Sequence, residues 1–129
     1  MPIKKEFIQT EKAPEAIGTY SQAIKVDNIV WISGQIPLDP KSMTLIGDNT
    51  EVGFKKQVHQ VFQNIKGVAL ASGGSLEDVV KINIYLINLK FFSIVNEVMK
   101  VYFDEPFPAR AAVGVKSLPK ESAIEAEAI

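Results

Sequence analysis

The sequence predicts an α+β fold in which two helices cover one face of a β-sheet. Three observations carry this expectation. Several short runs alternate apolar and polar residues, two longer runs space their apolar residues by three and four, and clusters of Gly, Pro, Asn and Asp separate them. At 129 residues the chain is long enough for one core and short for two, so a single domain over 1–129 is expected.

"KEFIQT" reads as a short strand, followed by the loop "KAPEAIGTYSQ" with Pro14 and Gly18 as punctuation. "AIKVDNIVWISG" is two β-rich runs around Asp27-Asn28. These residues tolerate left-handed turn geometry, which makes the segment a hairpin ending at Ser33-Gly34. "QIPLDPKSMTLIGDNT" has no sustained period and reads as an ordered surface loop.

From about Val52 to Ser72, Val58, Val61, Phe62, Ile65, Val68 and Ala69 form one helical stripe, which Gly73-Gly74 stops. His59 falls on the opposite face with Lys55, Lys56, Gln60, Gln63 and Lys66, and reads as a solvated surface histidine. In "SLEDVVKINIYLINL", Val80, Ile82, Ile84 and Leu86 point one way and Lys81, Asn83 and Tyr85 the other. Helical spacing returns from Lys90 to Phe103 through Phe91, Ile94, Val95, Val98 and Tyr102, and Pro106 and Pro108 bar its continuation.

"RAAVGVKS" alternates again, with Ala111, Val113 and Val115 opposite Arg110, Ala112, Gly114 and Lys116. "AIEAEAI" sets Ile124, Ala126 and Ala128 against Glu125 and Glu127. Two helices can cover only one face of such a sheet. By parity the uncovered face carries Trp31, Ser33, Lys81, Asn83, Tyr85, Arg110, Ala112, Gly114, Glu125 and Glu127. Small residues beside charges suit a surface approached closely by a ligand or a second copy of the chain.

Composition narrows the chemistry. There is no cysteine, so disulfides, thiolate nucleophiles, iron–sulfur clusters and cysteine zinc sites are excluded. A lone histidine without neighbouring ligands predicts no metal site. The net charge of −1 offers no strong field for nucleic acid or an anionic membrane. No run approaches the ~20 apolar residues of a membrane helix, and "MPIKKEFIQT" lacks a signal-peptide core, so a soluble cytoplasmic protein is expected. Dinucleotide, phosphate-loop, "HExxH" and "GxSxG" motifs are absent. "SGGS" at Ser72 to Ser75 closes a helix, whereas a phosphate loop opens one.

"FPARAAVGVKSLPKESAIEAEAI" closely resembles the C-terminal signature of the RidA/YjgF family of reactive-intermediate imine deaminases. "APEAIGTYSQAI", "ISGQIPLDP" and "GGSLEDVVKINIYL" resemble its earlier segments in the same order, so the resemblance covers nearly the whole chain. It implies a chorismate-mutase-like mixed β-sheet with two α-helices packed on one face, assembled as a homotrimer with a central barrel of sheets and clefts between subunits. It places the last strand away from its sequence neighbour, although the short "LPKES" link would permit a hairpin. The implied activity is cofactor-free hydrolysis of 2-imino acids and their enamine tautomers, such as 2-iminobutanoate and 2-iminopropanoate, to 2-keto acids and ammonia.

By motif position the resemblance makes Arg110 the substrate arginine and Glu125 the glutamate that orients or deprotonates the attacking water. A planar guanidinium grips a carboxylate with two parallel hydrogen bonds, as lysine cannot. Tyr20, Ser33, Gly34 and Asn88 correspond to cleft positions. Ala112 stands where the family commonly has cysteine, so its contact would come from backbone groups. A nearby Arg110 is expected to lower the pKa of Glu125, which favours positioning of water over strong base catalysis. Two other readings stay open at this point: a non-catalytic module binding 2-keto acids, and an RNA-directed activity, which the balanced charge supports little.

Overall fold

The structure is a computed structural model that describes residues 2–129. Its elements in chain order are β1 (Glu6–Ile8), β2 (Ala23–Val26), β3 (Ile29–Gln35), α1 (Glu51–Ala71), β4 (Lys81–Leu86), α2 (Phe92–Tyr102), β5 (Ala109–Gly114) and β6 (Ile124–Ala128). The strands form one six-stranded sheet in the order β1-β2-β3-β6-β4-β5. β4 and β5 are parallel, and the other pairs are antiparallel. This is the expected mixed sheet with two helices.

The β2–β3 turn forms where Asp27 takes φ 52°, the left-handed conformation the hairpin needs. α1 starts at Thr50, whose side chain accepts from the Gly53 amide at 3.1 Å. It ends at Ser72, after which Gly73 turns with φ +91°, a conformation that disfavours any side chain.

Between these caps Phe54, Val58, Val61, Phe62, Ile65 and Val68 are wholly buried, against Ile82, Ile84 and Leu86 of β4 and Ile124 and Ala126 of β6. α2 adds Ile94, Val95, Val98 and Met99 to the same core. β6 lies between β3 and β4, and β5 is the edge strand beside β4. The final two strands therefore form no hairpin, as the resemblance implied.

Several expectations need correction. Arg110 and Ala112 do not belong to the uncovered face. Arg110 pairs with buried Ile82 and Ala112 with buried Ile84, so both point to the side covered by α2, while Ala111 and Val113 are exposed. The run "ARAAVG" has little polarity contrast, and on an edge strand the alternation it does show need not match the core. Gly114 pairs with Leu86 on that same covered side.

Val80 precedes the strand and is exposed rather than inward. His59 is half-buried, with Nδ1 2.9 Å from the Tyr102 hydroxyl, because α2 packs across that flank of α1. The loop after β3 is only partly a surface loop: Ile36 and Leu38 are buried and Leu38 bridges to Leu45. Buried Asn64 of α1 donates to the carbonyls of Ile36 and Leu38 at 3.2 and 3.0 Å.

Candidate active site

The antiparallel pairing of β3 and β6 breaks where one would least expect it in a core strand. Ile32 pairs with Ala128 but Gln35 with Ala126, so β3 spends one extra residue across Ser33-Gly34. Such a bulge re-aims local side chains. The Ser33 amide donates to the Gln22 carbonyl at 3.0 Å and its hydroxyl to the Ser21 carbonyl at 2.5 Å, which stitches the bulge to the end of the loop bearing Tyr20.

Gly34 faces Glu125 of β6. A Cβ at position 34 would collide with the Glu125 carboxylate, so glycine is what lets that carboxylate occupy its place. Tyr20 is half-exposed and its hydroxyl accepts from the Ile17 amide at 3.2 Å. Together Tyr20, Ser33, Gly34 and Glu125 line an open cleft of about 540 Å³, with Glu127, Glu15 and Pro119 on its rim and Ile17, Ile36 and Leu38 as apolar wall.

Within this cleft Glu125 is half-buried. Burial, and secondarily the neighbouring Glu127 charge, push its carboxyl above the usual carboxylate range. The expected lowering by Arg110 is absent, because Arg110 lies on the opposite face of the sheet and two strands away. No ion pair joins Arg110 to Glu125 or Glu127. Among the described residues the ion pair is Lys55 with Glu97 at 2.8 Å, on the outer surface of the helices.

Arg110 is instead held by neutral groups. Its Nη1 donates to Asn96 Oδ1 at 2.5 Å and lies 3.3 Å from Met99 Sδ, and the guanidinium sits 4.7 Å from the Phe92 ring centroid. A cation over an aromatic face is favourable and, unlike an ion pair, does not neutralise the charge. Nε and Nη2 make no hydrogen bond among the described residues, which leaves two nitrogens of the guanidinium without a partner in the chain.

Ala112 is half-buried beside this arginine on β5. Asn88 accepts from the Lys90 amide at 3.0 Å and caps the short turn after β4, outside the lining of the Tyr20–Glu125 cleft of the single chain. The described residues contain no group of His, Asp or Glu side chains able to hold a metal ion, and no helix is long and apolar enough to cross a membrane.

Sequence reasoning missed the supporting residues. Gln22, nearly fully buried, donates to the carbonyls of Ala13 at 3.2 Å and Pro14 at 2.8 Å and accepts from the Thr10 amide at 2.7 Å, which anchors the Tyr20 loop from beneath. Its only signal was a polar residue entering a strand. Phe92, Asn96 and Met99 were legible in principle, since positions four and seven apart share one helix face, but nothing in the sequence aimed that face at Arg110.

Comparison with known proteins agrees with this fold. The family described as Endoribonuclease L-PSP matches residues 10–129. A RutC family protein of Pyrococcus abyssi is 50% identical over 125 residues, covering 97% of this chain and 95% of its own length. A 2-iminobutanoate/2-iminopropanoate deaminase of Dermatophagoides farinae is 42% identical over 125 residues, covering 97% and 94%. The crystal structure of RidA from Psychrobacter superposes with a TM-score of 0.90 at 53% identity, over 95% of this chain and 96% of that one. With the mixed sheet, its two covering helices and these likenesses along almost the full length, the chain belongs to the RidA/YjgF family.

Proposed function

We propose that this protein hydrolyses 2-imino acids and their enamine tautomers to 2-keto acids and ammonia in a cleft completed by a second copy of the chain. One observation carries the reading. Each chain holds a guanidinium without an acidic partner on one face of its sheet and a half-buried carboxylate without a basic partner on the other. Two copies that brought one such arginine to one such cleft would form a site with both a carboxylate grip and a base. A homotrimer closes that head-to-tail contact with every site filled. The deaminase name of relatives such as that of Dermatophagoides farinae supports the same chemistry.

In this reading Arg110 of one copy holds the substrate carboxylate through the free edge of its guanidinium, which fixes the imine carbon above the cleft of the next. Glu125 takes the proton of a water molecule as its oxygen bonds to the imine carbon. The C=N π pair of the protonated imine moves to nitrogen as the carbinolamine forms, and Glu125 returns its proton to that nitrogen. The carbon–nitrogen bond then breaks as the hydroxyl oxygen becomes the keto C=O and gives its proton to the freed Glu125, so that nitrogen leaves as ammonia. A carboxyl raised by burial suits both halves of that transfer better than an ordinary one. Tyr20 walls the pocket, and the backbone at Ser33-Gly34 approaches the ligand closely. Ala112 is proposed to contribute only as part of the strand that carries Arg110, and Asn88 through the turn it caps at the other end of β4.

The test is a coupled assay in which an amino-acid oxidase or threonine dehydratase generates the imine. Wild type is expected to accelerate its loss over buffer, and Arg110→Ala and Glu125→Gln to abolish the acceleration. Mixing these two inactive variants under conditions that exchange subunits is expected to restore roughly a quarter of wild-type activity, because random assembly reunites an intact Arg110 with an intact Glu125 at that share of sites. A mixture as inactive as its parts would overturn the shared cleft. Binding of 2-oxobutanoate without turnover would leave a recognition module instead.

A further inference from the structure

Glu127 occupies the same face of β6 as Glu125 and reaches the rim of the same cleft. The register of β4 against β6 sets Tyr85 opposite Glu125 and Asn83 opposite Glu127. Yet the Tyr85 hydroxyl does not serve its direct neighbour: it crosses the diagonal and donates to Glu127 Oε1. Diagonal positions on adjacent strands are within reach of an aromatic side chain. The two carboxylates of the cleft are therefore unequal. Glu127 has a phenolic donor that fixes its place, and Glu125 has no donor among the described residues.

We propose that Glu127, clamped by the Tyr85 hydroxyl, is a positioning residue that decides which of the two cleft carboxylates carries the reacting proton. The proposal rests on the reading of Glu125 as the reacting group. A fixed negative charge beside Glu125 makes that group hold a proton more tightly, which is what a base that must accept a proton from water and return it to nitrogen requires. Consistent with this, Glu127 raises both Glu125, after burial, and the Tyr85 phenol.

The other titratable groups around Glu125 are few. β3 contributes none, the loop before β2 brings Glu15 and Tyr20 to the cleft, and β4 sets Tyr85 opposite Glu125. In the proposed assembly Arg110 of a second copy joins them and acts in the opposite direction, so the Tyr85–Glu127 pair offsets its pull.

The experiment is a site-resolved NMR titration of the Glu125 side-chain carboxyl in the full-length protein, in wild type, Glu127→Gln and Tyr85→Phe. Glu127→Gln is expected to lower the Glu125 midpoint by roughly half to one pH unit. Tyr85→Phe is expected to shift it the same way by less, since an unclamped Glu127 is free to swing away from Glu125. The acid limb of the kcat/KM profile should move in step. Coincident Glu125 midpoints in all three proteins would overturn the proposal. The titration needs no substrate, so a wild type that fails to hydrolyse imines defeats the hydrolase reading while the midpoints still decide this one.

Discussion

At the scale of single residues, the cleft depends on what two positions lack. Gly34 has an ordinary backbone, so Gly34→Ala introduces no torsional strain, and its added methyl meets only the Glu125 carboxylate. The substitution is expected to leave the fold intact by circular dichroism and to reduce kcat/KM about 10- to 100-fold, the usual cost of displacing a reacting group by an ångström. Among the described residues Glu125 has no counter-charge. Its carboxyl is raised on folding by burial and by Glu127, so it contributes stability that is complete below its unfolded value and lost as pH rises through its folded value. Glu125→Gln stays neutral throughout. Its Tm is expected to exceed that of wild type at pH 7, with the gap closing below the ordinary carboxylate range, as thermal melts at several pH values will read. If Glu125 is the reacting group proposed above, its cost to the fold is the familiar trade between activity and stability.

At the scale of elements, the site is held by backbone groups that buried amides satisfy. Gln22 fixes the Tyr20 loop, and Asn64, with no exposed surface, secures the start of the loop after β3 through the carbonyls of Ile36 and Leu38. Asn64→Ala strands the buried Leu38 carbonyl, while the Ile36 carbonyl keeps the Leu38 amide at 2.8 Å, and it leaves a small cavity. Its expected cost is about 2–4 kcal/mol, measured from the midpoint of urea unfolding. The core helices and strands were legible from periodicity because α1, α2, β4 and β6 each present a strong apolar stripe to one side. β5 was not, because Ala, Val and Gly alternate there with almost no polarity contrast, and the one informative residue, Arg110, buries its stem beside α2 rather than turning outward. The loop after β3 escaped for a similar reason: its buried residues follow no period, and Asn64, which holds it, sits in a helix 26 residues away from Leu38.

At the scale of the whole molecule, the open face of the sheet displays Trp31, and the β5 rim displays Val113, both large apolar side chains that remain exposed in one chain. The proposed trimer would cover this surface. Trp31→Glu is therefore expected to yield a folded species with the mass of one 14.2 kDa chain by light scattering, and to lose imine hydrolysis because no second copy completes the cleft. A trimeric Trp31→Glu would assign the assembly to other contacts. The near-neutral balance of charge bears on function at this scale too. A net charge of −1 gives the chain no strong overall field of either sign to draw a polyanion.

The sequence by itself determined the element order, the core stripes of both helices and of β4 and β6, and the family, because hydrophobic period and motif order are local properties written residue by residue. It also named Tyr20, Ser33, Gly34 and Glu125, which the structure gathers into one cleft. Only the tertiary structure decided that β6 inserts between β3 and β4, that Arg110 and Glu125 face opposite sides, and that Tyr85 chooses Glu127 over its direct neighbour. Each of these depends on which strand lies beside which. That choice is made by the packing of the whole core and leaves no trace in the spacing of any single segment.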